Sequence, residues 1–202
     1  LKMVLYDIET LEPIKAFEGN VFTFDCSETK FVVGNNYTEY KDGEFYNHIT
    51  ITEWDYNTNN DKNNYNFEIV NTISEDIVIK AFKSAHFMVE NVTYFYIVNL
   101  TYIPNSNKLV IYFKHIYSDE YVVTIWNMDT KKCEKIVSCE KIVSMEDFCD
   151  FSDINRNLYA LIKKKSSSSI EIMDLYNLRK IKIKNIKSSY NVNDVRNIHE
   201  NL

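Results

Sequence analysis

The chain has 202 residues and a mass of 24.0 kDa, the size of one domain or of a large piece of one. Hydrophobic residues make up 45% of it and aromatic residues 14%, which supplies a packed core and excludes disorder of the whole chain. Three glycines cannot form a glycine-rich nucleotide loop, and the formal net charge of −6 argues against general affinity for nucleic acids or anionic membranes.

The sequence pattern predicts β-strands almost throughout. Short runs rich in Val, Ile, Tyr, Phe and Thr alternate with clusters of Asn, Asp, Ser and Lys, as expected for strands joined by turns. Residues 75–90 fit a helix, although Ile77-Val78-Ile79 fits a strand equally well. In chain order, the predicted units are two strands in 1–19, a set of strands in 20–74 with a hairpin tip at Asp42-Gly43, an insertion at 75–95, and further sets of strands in 95–141 and 142–186.

Four segments repeat one pattern, in which an apolar strand ends in an aromatic residue or Met, followed by Asp or Asn and a short polar turn. These anchor residues are 48, 72 and 47 positions apart, so two intervals agree and the third is longer. The additional residues of the longer interval coincide with residues 75–95, which we therefore interpret as an insertion between repeating units. The four dipeptides are Tyr6-Asp7, Trp54-Asp55, Trp126-Asn127 and Met173-Asp174.

These repeats resemble those of the WD40 family of β-propellers. The closest unit runs from Ser118 to Ser138, where Trp126-Asn127 stands in place of the family's Trp-Asp dipeptide and the residues up to Cys133 resemble its turn. The resemblance is degenerate, because no Gly-His dipeptide precedes any unit and the only glycine hairpin turn is Asp42-Gly43.

The resemblance implies an all-β fold, a β-propeller of four-stranded antiparallel blades. About three and a half blades fit into the chain, so we expect a single, partial propeller domain over residues 1–202 with an insertion at 75–95. The continuous apolar runs Leu109 to Phe113 and Val122 to Trp126 support this interpretation, because the middle strands of a blade are covered on both faces.

No arrangement of residues indicates an enzyme, a cofactor or a metal site. The histidines form no HExxH motif, no GxSxG motif is present, and the four cysteines form no CxxC pair. We therefore expect free thiols in the cytoplasm or another reducing intracellular compartment, and no run of about 18 apolar residues predicts a membrane span. One acidic cluster is consistent either with a site for a cation or basic peptide or with solvated turns; it comprises Glu146, Asp147, Asp150 and Asp153.

Basic residues are concentrated near the end of the chain, where residues 156–190 hold nine Lys or Arg and two acidic residues. The run from Lys180 to Lys184 alternates lysine with isoleucine, as a strand does when one face meets water. A solvated outer edge explains this pattern. The alternative is a module that binds a polyanion, RNA or lipid phosphate, through Lys180, Lys182, Lys184 and Lys187.

The function that the resemblance implies is a non-catalytic scaffold for protein–protein interactions, a subunit of a larger assembly whose partners are other protein subunits. We expect the hairpin around Asp42-Gly43 and the insertion at 75–95 to contact those partners, because both depart from the repeat and loops on rigid scaffolds commonly carry binding. Nucleic acid is the less favoured partner, given the net charge.

Overall fold

The structure is a computed structural model that describes residues 2–25, 29–58, 65–85, 94–103, 105–118, 120–139, 159–163, 170–174 and 179–182, the last three segments as backbone only. Within these ranges the chain forms four antiparallel sheets and one helix. The general prediction of an all-β fold built from antiparallel sheets is therefore confirmed, with the helix as a single departure.

In each sheet the strands follow one another in chain order. Sheet A comprises β1 (Lys2–Tyr6) and β2 (Pro13–Glu18). Sheet B comprises β3 (Val21–Phe24), β4 (Lys30–Lys41), β5 (Glu44–Thr58) and β6 (Tyr65–Ser74), after which helix α1 covers Glu75–Ser84. Sheet C comprises β7 (Phe95–Tyr102), β8 (Lys108–His115), β9 (Tyr121–Asn127) and β10 (Lys132–Cys139). Sheet D comprises β11 (Tyr159–Lys163), β12 (Ile170–Asp174) and β13 (Arg179–Lys182).

The four anchor residues occupy the same position in their sheets. Each lies in the strand before the last one: Tyr6 in β1, Trp54 in β5, Trp126 in β9 and Met173 in β12. The repeat in the sequence therefore corresponds to a repeat in the order of strands.

The turn after the anchor also has one geometry in two of the sheets. In sheet A, Asp7 Oδ1 accepts a hydrogen bond from the backbone N–H of Thr10 at 2.8 Å, and in sheet C Asn127 Oδ1 accepts one from the residue three positions on, Thr130, at 3.0 Å. In both turns the next residue has a positive φ, 57° at Leu11 and 55° at Lys131. Glycine usually occupies positions with such φ values. In this chain, which has few glycines, Leu and Lys occupy them instead.

The chain divides into two compact units, one formed by Leu1–Ser118 and Val122–Ile136, the other by Asp119–Tyr121 and Val137–Leu202. Sheets A and B, helix α1 and most of sheet C belong to the first unit. The single domain over residues 1–202 stays a prediction.

Sheet B lies between sheets A and C in the first unit. Phe31 and Val33 of β4 pack on Phe17 of sheet A, whereas Val32, between them, belongs to the cluster shared with sheet C. This alternation follows from the two-residue period of a strand. At Gly34 the sheets approach so closely that an added Cβ would lie 2.9 Å from Val21 Cγ2 and 3.2 Å from Ile97 Cδ1.

The ambiguous segment after sheet B is a helix. Val78 and Phe82, four positions apart, lie on one face and are fully buried. The Phe82 ring meets the rings of Phe95 and Phe113 edge-on, with centroids 5.7 and 5.3 Å away. The helix α1 is thus held by the core of sheet C, and this tertiary packing outweighs the β preference of the branched residues around Val78.

Candidate interaction surface

The strands β4 and β5 extend well beyond their neighbours in sheet B. The last residue pair that β3 makes with β4 is at Gly34, and the first pair that β6 makes with β5 is at Thr50. From Asn36↔Ile49 to Lys41↔Glu44, β4 and β5 therefore pair only with each other, over six residue pairs or about 20 Å. We call this segment, residues 36–49, the ribbon; it contains the hairpin predicted from Asp42-Gly43.

The tip of the ribbon is a tight turn. Asp42 and Gly43 have φ values of 53° and 86°, the pair of positive angles that a two-residue type I′ hairpin requires. No atom lies within 4 Å of a Cβ built on Gly43, so glycine is favoured here by its conformation and not by lack of space.

Three large aromatic side chains of the ribbon face solvent. The exposed fractions are 57% for Tyr37, 63% for Tyr40 and 48% for Phe45, and the rings of the latter two touch across the strands with centroids 4.9 Å apart. Aromatic residues are enriched in protein–protein interfaces, because they supply much contact area for little loss of conformational entropy. The same end of the ribbon carries Glu39, Lys41, Asp42 and Glu44, which give it a net negative charge.

The base of the ribbon is fixed to sheet C by one side chain. Asn36 Nδ2 donates to the carbonyl oxygen of Ile97 at 2.9 Å, and the N–H of Ile97 donates to Asn36 Oδ1 at 2.8 Å. The pairing of β7 with β8 shifts register immediately after Ile97, so the amide of Asn36 takes the place of a strand partner at an irregular point of β7.

A histidine connects the ribbon to α1. His48 Nδ1 lies 3.0 Å from Glu75 Oε2, and His48 Nε2 lies 3.2 Å from Glu39 Oε2. The imidazole also stacks on Tyr37, with centroids 4.4 Å apart. The two carboxylates contact opposite nitrogens of one ring, so these three side chains do not converge on a common point as the ligands of a metal do.

A second aromatic group lies against the ribbon from the side of sheet C. Tyr94 Oη donates to Glu44 Oε2 at 2.7 Å, and the Tyr94 ring meets those of His115 and Tyr117. Tyr46 Oη donates to the same carboxylate at 3.3 Å. Partial burial, followed by the negative charge of Glu44, raises the pKa of Tyr46 above its usual value.

Sheets B and C also share a buried polar contact. Glu53 is 3% exposed; its Oε1 accepts a hydrogen bond from Tyr102 Oη at 2.6 Å and its Oε2 accepts one from Asn71 Nδ2 at 2.5 Å. Burial, followed by the hydrogen bond to Glu53, raises the pKa of Tyr102 far above its usual range. Because the acceptor is satisfied on both oxygens, this contact serves the packing of the two sheets.

The residues predicted to bind a polyanion are only partly covered by the structure. Lys180 and Lys182 lie in β13, where they pair with Met173 and Glu171 of β12. Lys184 and Lys187 lie outside the described residues, so binding of RNA or lipid phosphate stays a prediction.

The histidines, the acidic cluster and the cysteines considered in the sequence are also only partly covered by the structure. His48 and His115 lie in strands and are hydrogen-bonded, His115 Nδ1 to Ser118 Oγ at 3.0 Å. His86, His199 and the acidic cluster at 146–153 lie outside the described residues. Of the cysteines, Cys133 is a free thiol, and the prediction of a reducing compartment stays a prediction.

Within the described ranges, no group of three His, Cys, Asp or Glu side chains is arranged to hold a metal ion. No helix in the same ranges is long and apolar enough to span a membrane. No protein-family model matches the sequence, and no curated protein matches it either.

The sequence predicts the turn of the ribbon but not the contacts that fix its base. The turn at Asp42-Gly43 and the aromatic residues beside it were visible signals. The bonds between Asn36 and Ile97, 61 positions apart, depend on which sheets pack together, and no local pattern predicts them.

Proposed function

We propose that this chain is part of a WD40-like β-propeller and acts as a non-catalytic scaffold for protein–protein interactions, as a subunit of a larger assembly. The ribbon is the surface that contacts a partner. The helix α1, which lies in the predicted insertion, supports it at its base.

The propeller part of the proposal is supported by three independent features. The anchors Tyr6, Trp54, Trp126 and Met173 all lie in the strand before the last. Two of the turns that follow them share one hydrogen bond and one positive φ. Sheet B is covered on one face by the preceding sheet and on the other by the following one, as a blade is.

The observation that carries the scaffold function is the exposure of Tyr37, Tyr40 and Phe45 on a segment held at its base. The bonds of Asn36 and His48 restrain the start of the ribbon, where Tyr37 stacks on His48. Nearer the tip, the rings of Tyr40 and Phe45 contact each other. A segment that the fold already holds in place is suited to binding, because less conformational entropy is lost when a partner binds to it.

The experiment is quantitative affinity purification of the full chain from its own cells. The ribbon variant Tyr37→Ser/Tyr40→Ser/Phe45→Ser is compared with wild type. We expect co-purified protein subunits to fall by about tenfold or more in the variant, because a few aromatic residues carry most of the energy of an interface.

A matched control removes three exposed apolar side chains elsewhere. Tyr6, at the end of β1, is 59% exposed, and Ile8 and Leu11, in the turn that follows it, are 90% and 74% exposed. Their replacement by serine should leave the recovered subunits unchanged. Equal recovery with both triple variants would overturn the role of the ribbon. Recovery of RNA that is lost steeply with added salt would favour the polyanion alternative.

A further inference from the structure

A groove lies between α1 and strand β10, on a different part of the first unit from the ribbon. Its volume is about 410 Å³, within the range of about 300–1,000 Å³ typical of ligand pockets. One wall comes from α1, and the other from β10 and the turn before it.

The floor of the groove is apolar. Ile77 and Ala81 form a stripe along α1 next to the one that enters the core, and Cys133 and Ile136 face them from β10. Trp126 lies beneath, fully buried. Burial raises the pKa of the Cys133 thiol to about 12, consistent with an apolar floor.

The rim is basic, although the chain as a whole carries a net charge of −6. Lys80, Lys131, Lys132 and Lys135 line the groove, and the only carboxylate among the lining residues is Glu134. That carboxylate is already occupied, because Lys108 Nζ lies 2.7 Å from Glu134 Oε2 and the resulting hydrogen bond lowers the pKa of Glu134.

Lys80, Lys131 and Lys132 are exposed, and no carboxylate in the described part of the chain lies within salt-bridge distance of them. The positive charge of these three lysines is therefore available to a ligand. The C-terminal end of α1 bears partial negative charge at Ser84 and Ala85, so an anionic ligand is favoured at the turn rather than at this end.

We propose that this groove binds a segment of a partner protein in which acidic side chains flank one or two large apolar ones. The apolar side chains lie on Ile77, Ala81 and Ile136, and the acidic ones face Lys131 and Lys132. A polyphosphate would use the rim but leave the apolar floor without a partner, whereas an acidic amphipathic peptide uses both.

The proposal is tested by fluorescence anisotropy with the full chain and a defined probe. The probe is a fluorescein-labelled peptide of twelve residues, with two Leu and one Phe spaced among Glu and Asp. Two matched probes replace either the apolar residues by Ser or the acidic residues by Lys. We expect saturable binding of the first probe with a Kd of about 1–100 µM, as for small interfaces, and at least about tenfold weaker binding of both others.

The variant Lys131→Glu/Lys132→Glu should weaken binding of the acidic probe by about tenfold or more, because it reverses the charge of the rim. The control Lys2→Glu/Lys15→Glu makes the same change in net charge at exposed sites of sheet A, outside both the groove and the ribbon, and should bind as wild type does. A third variant, Ser84→Trp, fills the groove from α1 without changing charge and should also weaken binding. Circular dichroism establishes that each variant is folded.

Equal losses in the two double variants would overturn the proposal, since the effect would then be one of overall charge. Tighter binding of the serine-substituted probe, or of a twelve-nucleotide single-stranded DNA, would also overturn it in favour of a polyanion site. The serine variant of the ribbon should bind the acidic probe normally, so failure of the scaffold proposal and failure of this one are distinguishable.

Discussion

The replacement Tyr102→Phe removes one oxygen atom from the contact between sheets B and C. In the native chain that hydroxyl donates to Glu53 Oε1 at 2.6 Å. Tyr102 is 7% exposed and Glu53 is 3% exposed, so water cannot replace the lost donor. Phenylalanine fits the same space, and the expected change is therefore that of the hydrogen bond alone.

The magnitude follows from leaving a buried acceptor without one of its donors, which costs about 1–3 kcal/mol. Asn71 still donates to the other oxygen of Glu53, so we expect a value near the middle, about 2 kcal/mol. For a chain of this size that corresponds to a fall in Tm of roughly 4–8 °C.

Urea unfolding followed by circular dichroism measures this loss, and a double-mutant cycle with Glu53→Leu assigns it to the pair. Once Glu53 is gone, Tyr102→Phe should cost little, so the two changes should be non-additive by about 1–2 kcal/mol. The control Tyr96→Phe, on the same strand, should change the free energy of unfolding by less than about 0.5 kcal/mol. A similarly small effect of Tyr102→Phe, or additive effects in the cycle, would refute a stabilising hydrogen bond between Tyr102 and Glu53 across the two sheets.

Four further results are expected. Leu11→Gly should raise the free energy of unfolding by about 0.5–1 kcal/mol, because relief of the positive φ (about 1–2 kcal/mol) exceeds the entropy cost of glycine. The control Ile8→Gly, in the same turn, should lower the free energy of unfolding. Urea unfolding measures both changes. Asn36→Leu should cost about 2 kcal/mol and speed hydrogen exchange of the amide that it binds on β7, as measured by NMR. Hydrogen bonds from the backbone of the turn lower the pKa of Asp7. Its contribution to stability is therefore present above about pH 4 and is lost as the pH falls through the pKa of the folded state. In acid titrations, Asp7→Asn should lose less stability below about pH 4 than wild type does. Burial raises the pKa of Cys133 to about 12, so iodoacetamide at pH 8 should alkylate it on the order of a thousandfold more slowly than a free cysteine by mass spectrometry; alkylation at the rate of a free cysteine would contradict the burial.

The strand order could be predicted from the sequence, because it rests on a pattern that recurs along the chain. Trp54 and Trp126 mark the strand before the last in two sheets of four strands. The tip of the ribbon was equally predictable, since Asp-Gly between two strands favours a type I′ turn.

The local sequence could not decide between a helix and a strand for the segment that forms α1. Ile77-Val78-Ile79 favours a strand by its branched side chains, while the four-residue spacing of Val78 and Phe82 favours a helix. Burial of that pair against sheet C decides between them, and only the assembled sheets supply that burial.

Neither the buried contact between sheets B and C nor the groove beside α1 could be predicted from the sequence alone. Glu53 and Tyr102 are 49 positions apart, and Lys80 is 51 positions from Lys131. The basic residues near the end of the chain were conspicuous in sequence. Three lysines of the groove lie within residues 131–135, but Lys80 becomes their neighbour only when α1 packs beside β10.

The most direct test of the scaffold proposal is photo-crosslinking from the ribbon in the full protein within its own cells. A benzoylphenylalanine placed at Tyr40 should crosslink to a small number of distinct proteins, identified by mass spectrometry. The same group at Glu68, an exposed position of β6 away from the ribbon, should not crosslink to them. An absence of protein crosslinks at Tyr40, or identical crosslinks from both positions, would contradict the proposal that the ribbon holds a partner.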